Sequence, residues 1–247
     1  MKWKLAGLAT LMFVAAPFLA AWGEAPTPIK PVAPLDDIVF EVNDKIEQLD
    51  GLLATAESYE EKREGEIQQA FGVLAVMGQA IAEHEDHEQT EISGPALRDA
   101  ALPFTIETSY DDAKAILDSV KKARAGGGAT DAAVEHEWDE LIPMYPMMEE
   151  INNRNAALVR VIRRPRGREG ESAHASTIAL LSIAMYADTH EVEGDADVSA
   201  WQEMSAEYRT LMVQAAEAIR ARDGDTARTH FDAANETCDR CHEKFRD

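Results

Sequence analysis

The sequence predicts an all-α protein made of two antiparallel four-helix bundles in tandem. Ala, Glu, Asp and Leu are abundant and favour helix, whereas aromatic residues make up only 6% of the chain. No stretch alternates apolar and polar residues as a half-buried strand does. Apolar residues recur instead at spacings of three and four in eight segments, four on each side of a glycine-rich linker. The predicted bundles span residues 35–126 and 132–247.

The N-terminal segment has the layout of a secretory signal peptide. A short basic start, "MKWK", precedes the apolar run "LAGLATLMFVAAPFLAA", which ends in small residues. We predict that residues 1–21 are cleaved and that the Pro-rich residues 22–34 form an extended tether. No later stretch is apolar enough to span a bilayer, so we expect a periplasmic protein that is free of the membrane after cleavage.

The charge balance limits the class of partner. The chain carries 46 Asp and Glu against 24 Lys and Arg, a formal net charge of -22. Loss of Lys2 and Lys4 with the signal peptide makes it -24. Such a surface repels nucleic acid and anionic membranes and favours a basic partner protein.

The first predicted bundle begins after Pro34. Helical apolar spacing runs through residues 35–59 and again through 66–84. A weaker third segment around Leu97 is limited by prolines, and the fourth, residues 109–128, ends in three glycines.

The second predicted bundle repeats this order in residues 134–164, 172–190, 198–222 and 225–245. Pro143 and Pro146 must kink its first helix or delay its start.

The two units show internal similarity, which indicates a duplication. "YDDAKAILDSVKK" from Tyr110 aligns with "GDTARTHFDAANE" from Gly224, and two shorter matches follow the same order. The second unit continues into "CDRCH", whereas the first has neither thiol nor imidazole at the matching positions, which are Arg124, Gly127 and Gly128. Whatever chemistry "CDRCH" supports belongs to the second unit alone.

Cys238 and Cys241 are the only cysteines of the chain, and His242 follows directly. On a helix these three positions share one face. They continue an apolar stripe, so we expect them to face the bundle interior. Cys-x-x-Cys-His is the attachment signature of c-type haem, in which two thiols bond the porphyrin edge and the histidine binds iron. A disulfide of the thiol-oxidoreductase kind and a structural zinc site are the alternatives.

The position of the motif is similar to that in one family. Here "CDRCHEKF" lies on the last helix of a four-helix pattern, which resembles the cytochrome c prime family, the class II c-type cytochromes. The resemblance covers residues 132–247, with a haem-free counterpart over 35–124. It implies one covalent haem c, attached at Cys238 and Cys241, with His242 as the proximal iron ligand.

The resemblance also implies that the first helix of the second bundle covers the distal haem face. Low-spin members place a methionine there and high-spin members an apolar residue. "PMYPMMEEINNRNAAL" offers Met144, Met147 and Met148, and we predict Met148 as the sixth ligand. Methionines at helical spacing are also common core residues.

If no methionine binds iron, Leu158 is the candidate apolar distal residue. The same resemblance places Arg154 near a haem propionate, with a solvent-exposed arginine as the alternative. We expect His174 and His190 at the surface, and His230 lies on the same helix as His242 and cannot reach across the iron.

These features predict an electron carrier rather than an enzyme, with a redox partner protein and a surface compatible with a homodimer. The alternative is a five-coordinate haem that binds nitric oxide or carbon monoxide. A third possibility is a non-redox scaffold in which the haem is structural. The first bundle would be a degenerate copy that serves as a structural or docking module.

Overall fold

The computed structural model describes residues 27–128, 132–190 and 192–246. Within these ranges the chain is helical and has no strand, which confirms the predicted all-α class. The predicted signal peptide lies outside the described residues. None of the described helices is long and apolar enough to cross a membrane.

The described residues of the first half form five α-helices: α1 (Leu35–Leu52), α2 (Ala56–Lys62), α3 (Gln68–Glu83), α4 (Gly94–Ala101) and α5 (Tyr110–Arg124). The predicted helix over 35–59 is divided after Leu52. Thr55 caps the new start, because its hydroxyl accepts a hydrogen bond from the Ser58 amide at 3.1 Å. A π-helical turn then joins α2 directly to α3.

The second half contains four long helices: α6 (Met144–Ile162), α7 (Ala173–Ala187), α8 (Asp195–Arg220) and α9 (Gly224–Phe245). The start of α6 is later than residue 134 because Pro143 holds an extended backbone, with ψ at 149°. Pro146 falls within the first turn of α6, where an amide N–H has no helical partner to lose. The prolines therefore delay the helix.

Helices that follow one another in the chain pack together. In the first half α3 contacts α1 and α4, and α5 contacts α4 and α1. In the second half α7 contacts α6 and α8, and α9 contacts α8 and α6. The halves also meet, because α1 and α3 pack against α7, and α3 packs against α6. One hydrophobic core therefore runs through both.

Residues 27–34, the described part of the predicted tether, fold back onto the first half. Ile29, Val32 and Ala33 are buried. The ring Nε2 of His84 lies 3.2 Å from the Ala33 carbonyl, and Lys30 Nζ lies 2.7 Å from a carboxylate oxygen of Asp86. This segment differs from an extended tether because it has apolar side chains to bury.

Candidate haem-binding cleft

Helix α9 carries the cysteine–histidine triplet on its last two turns. Asp223 caps the helix start, since its carboxylate accepts a hydrogen bond from the Thr226 amide at 3.0 Å. The helix then continues to Phe245. Cys238, Cys241 and His242 all border one cleft beside α6, so the structure brings the three predicted residues together.

Two adjoining clefts open at this end of the second half. They have volumes of about 230 and 570 Å³. Both are lined by Met148 and Asn152 of α6 and by Cys241 and His242 of α9. The two clefts therefore adjoin each other along α6 and α9, and the larger one is within the usual size range of small-molecule sites.

Both thiols are free and half-buried. Burial raises the pKa of the Cys238 thiol to about 11 and also raises that of Cys241. Both groups are therefore neutral near pH 7, in contrast to the low-pKa thiolates of redox-active Cys-x-x-Cys motifs.

The structure separates the three candidate methionines. Met148 is half-buried and lines both clefts, and Met144, one turn earlier on the same face, lines only the larger one. Met147 is completely buried in the core and is not among the described residues that line either cleft. Met185 and Met204 also line the smaller cleft and were not predicted.

Tyr208 and Asn155 form a polar end of the smaller cleft. The Tyr208 hydroxyl and Asn155 Oδ1 are buried, and neither meets hydrogen-bond geometry within the described residues. Burial raises the pKa of the Tyr208 phenol well above its ordinary value, with Cys238 and Asn155 close enough to influence it. The Tyr208 hydroxyl therefore lies close to Asn155 and Cys238 in the wall of the cleft.

The rim of the larger cleft is held by an aromatic pair. Trp201 donates a 2.6 Å hydrogen bond from Nε1 to the Met185 carbonyl, and its ring meets Phe245 edge-on at 5.4 Å. The end of α9 is thereby fixed to α7 and α8, which keeps the triplet in place.

His190 lies on this rim rather than apart from the site. Its Nδ1 hydrogen-bonds the carboxylate of Asp188, a buried side chain that also lines the larger cleft. His174, expected at the surface, is half-buried, and its Nδ1 lies 3.5 Å from Arg154 Nη1. Burial, with the nearby Arg154 charge, lowers the pKa of His174.

Arg154 and Leu158 do not belong to either cleft among the described residues. Arg154 is buried and pairs with Glu41 of α1 and with Glu150, on a different face of α6 from Met148. It is neither exposed nor placed to meet a cofactor carboxylate in the clefts. Leu158 is completely buried in the core.

At the end of α5, where the first half lacks the triplet, Arg124 donates a 2.8 Å hydrogen bond from Nε to Asn43 Oδ1 of α1. A side-chain contact between helices thus stands at the position that the predicted duplication aligns with Cys238.

Comparison with protein-family models, with curated proteins and with solved structures found no match to this chain.

Proposed function

We propose that this protein is an exported c-type cytochrome that carries one covalent haem on α9 and transfers single electrons. One observation carries the proposal: Cys238, Cys241 and His242 line a single cleft, and Met148 lines it from the facing helix. Two thiols, an imidazole and a thioether are the groups that a covalently bound, six-coordinate haem needs.

The surroundings of the cleft fit a large, mostly apolar cofactor. Ile151, Met185 and Met204 supply apolar walls, and Trp201 with Phe245 supplies an aromatic rim. The Tyr208 hydroxyl and the carbonyl oxygen of Asn155 are buried in the wall without well-formed hydrogen bonds among the described residues, and small shifts on cofactor binding would let a bound group or an ordered water satisfy them.

Each residue has a defined role in this proposal. Cys238 and Cys241 would add their S–H bonds across the two vinyl groups, which forms two thioethers with no leaving group. His242 and Met148 would bind the haem iron. When bound, haem supplies a one-electron iron couple, and histidine–methionine ligation shifts its potential upward. The apolar walls exclude water, which favours the less charged iron site.

The wider organisation belongs to the same proposal. The contacts of α6 to α9, each with its neighbour and the last with the first, support a four-helix bundle for the cofactor half. The corresponding contacts among α1, α3, α4 and α5 in the first half support a second, haem-free bundle. The net charge of -22 favours a basic redox partner.

Attachment is tested by producing the full chain in a periplasm with a c-type maturation system and denaturing it. Haem that stays with the denatured polypeptide is expected for the wild type. Replacing both Cys238 and Cys241 with alanine is expected to abolish retention. A wild-type chain that emerges without haem refutes the proposal.

The sixth ligand is tested by comparing Met148→Leu with the matched control Met147→Leu. Met148→Leu is expected to remove the long-wavelength ferric band of methionine–iron bonding and to let carbon monoxide bind the ferrous protein rapidly. Met147→Leu changes a core residue of the same turn and should leave both properties intact. A wild-type protein that is high-spin and binds carbon monoxide at once would instead favour the gas-binding function.

A further inference from the structure

Helix α6 has two functional faces. Met148, Asn152 and Asn155 line the cleft. Glu150 and Arg154, one turn apart, point the other way, toward α1 of the first half. Because one rigid helix carries both sets, anything that holds the second face also positions the first.

The second face is held by a buried ionic network. Lys45 Nζ of α1 lies 2.8 Å from Glu150 Oε1, and Arg154 Nη2 lies 2.7 Å from the same oxygen. Arg154 also donates hydrogen bonds to both carboxylate oxygens of Glu41, with Nη1 at 3.0 Å from Oε2. None of the four residues is more than 5% exposed. The four formal charges cancel, so the network is internally neutral.

The spacing of the network makes it specific for one register. Glu41 and Lys45 stand one turn apart on α1, as Glu150 and Arg154 do on α6. If α6 slid by a turn, buried charges would lose their partners, and an unpaired buried charge is far more costly than a shifted apolar contact. Apolar packing alone tolerates such sliding much better.

Neighbouring contacts lie on the same side of α6. The Asn153 amide nitrogen donates to Gln69 Oε1 of α3 at 3.2 Å. Gly72 of α3 packs so closely on Ile142, just before α6, that a Cβ there would lie 2.6 Å from the Ile142 side chain. The first half therefore contacts α6 along its length through directional and tightly packed groups.

We propose that Glu41 and Lys45 are positioning residues for the cofactor cleft: through Glu150 and Arg154 they set the distance and register of α6 against α9. The first half is then a working part of the cofactor site rather than a separate docking module. The role of Met148 as iron ligand rests on the proposed function, whereas the positioning of α6 does not.

The test uses Lys45→Met in the full chain, with Lys121→Met as the matched control. Lys121 pairs with Asp50 of the same helix α1, but that pair is solvent-exposed. In the haem-free chain, hydrogen exchange of the α6 amides is expected to quicken by about tenfold or more in Lys45→Met. Exchange in α8 should stay unchanged, and the control should match the wild type. Uniform quickening in all helices, or none in α6, overturns the proposal.

A second readout comes from the haem-loaded chain. Lys45→Met is expected to lower the share of molecules with the methionine–iron band, while Lys121→Met keeps it. If Lys45→Met does not fold, Glu41→Gln replaces it, because glutamine keeps the size and shape of the glutamate side chain. Glu41→Gln should likewise lower the share of molecules with the methionine–iron band. An intact band in spite of a loosened α6 overturns the link to Met148. If the wild type takes up no haem, the proposed function fails, and the exchange experiment still decides whether Lys45 holds α6.

Discussion

Replacing Arg154 with methionine is expected to destabilise the protein strongly. The guanidinium is the partner of Glu41, which is 2% exposed, and one of two cationic partners of Glu150. Its loss leaves Glu41 buried without a counter-charge, whereas Glu150 keeps Lys45. Breaking a buried pair from one side costs about 3–5 kcal/mol. In a chain of this size that lowers the Tm by on the order of 10 °C.

Thermal unfolding followed by circular dichroism, in a double-mutant cycle, measures this effect. Arg154→Met combined with Glu41→Gln removes the unpaired charge, so the double variant should be more stable than Arg154→Met alone. Lys121→Met, which breaks an exposed pair, should cost no more than about 1 kcal/mol. The reasoning is refuted if Arg154→Met costs no more than Lys121→Met, or if the double variant is the least stable of all.

Three further predictions concern stability. Gly72→Ala places a Cβ 2.6 Å from the Ile142 side chain and should lower the free energy of unfolding by about 1–3 kcal/mol in urea titrations. Burial lowers the pKa of His174 in the folded protein, so the unfolded chain takes up a proton at this residue first as the pH falls. The stability that neutral His174 allows is fully present above about pH 6.5 and is lost as the pH falls below that value. The Tm should therefore decline in acid, and His174→Asn should flatten this decline. Tyr208→Phe removes a buried hydroxyl that does not meet hydrogen-bond geometry with any described residue, and it should stabilise the haem-free chain by about 1 kcal/mol. Tyr110→Phe loses a 3.0 Å hydrogen bond to the Leu53 carbonyl and should destabilise the chain by a similar amount.

Matched controls separate these effects from general damage. Gly51 has no atom within 4 Å of a built Cβ, so Gly51→Ala should stabilise α1 by about 0.5–1 kcal/mol. The Gly72 prediction is contradicted if Gly72→Ala and Gly51→Ala have equal effects. The His174 prediction is contradicted if the decline of Tm with falling pH is the same in His174→Asn as in the wild type. The Tyr208 prediction is contradicted if haem-free Tyr208→Phe clearly loses stability.

The helical class and most helix positions could be predicted because they depend on nearby residues. Helical spacing and the delay at Pro143 are both set within a few positions. The placement of Cys238 and His242 was predictable for the same reason, since the helical period alone puts them on one face.

The contents of the far wall of the cleft were less predictable. Helix α7 is apolar on all sides, so no periodicity marks the face that brings Met185 to the cleft. His190 lies on the rim, where it contacts Asp188, a buried residue at the end of α7. Neither property leaves a local signal in the sequence.

The burial of Arg154 was the largest gap, because its partner Glu41 lies 113 positions away. Asp37, Glu41 and Lys45 recur at intervals of four along α1. A polar stripe of this kind usually faces solvent, and in a sequence the apolar stripe on the same helix is what identifies the side that faces the core. On α1 both stripes are used: Ile38 and Val42 face the core, and the polar stripe faces the second half.

The same polar stripe explains how an acidic chain can bury charge. Asp37 accepts hydrogen bonds from Ser172 at 2.9 Å and Ser176 at 2.6 Å and pairs with Arg220 at 3.1 Å. With the neutral network around Arg154, these contacts place balanced charge where the halves meet. The excess negative charge is therefore displayed outside, where it contributes solubility and long-range attraction, while the buried charges specify how the halves fit. We hypothesise that this separation of buried, balanced charge from exposed negative charge keeps the cleft geometry insensitive to salt, although encounters with a basic partner slow as the salt concentration rises. A methionine–iron band that weakens with added salt would contradict the hypothesis.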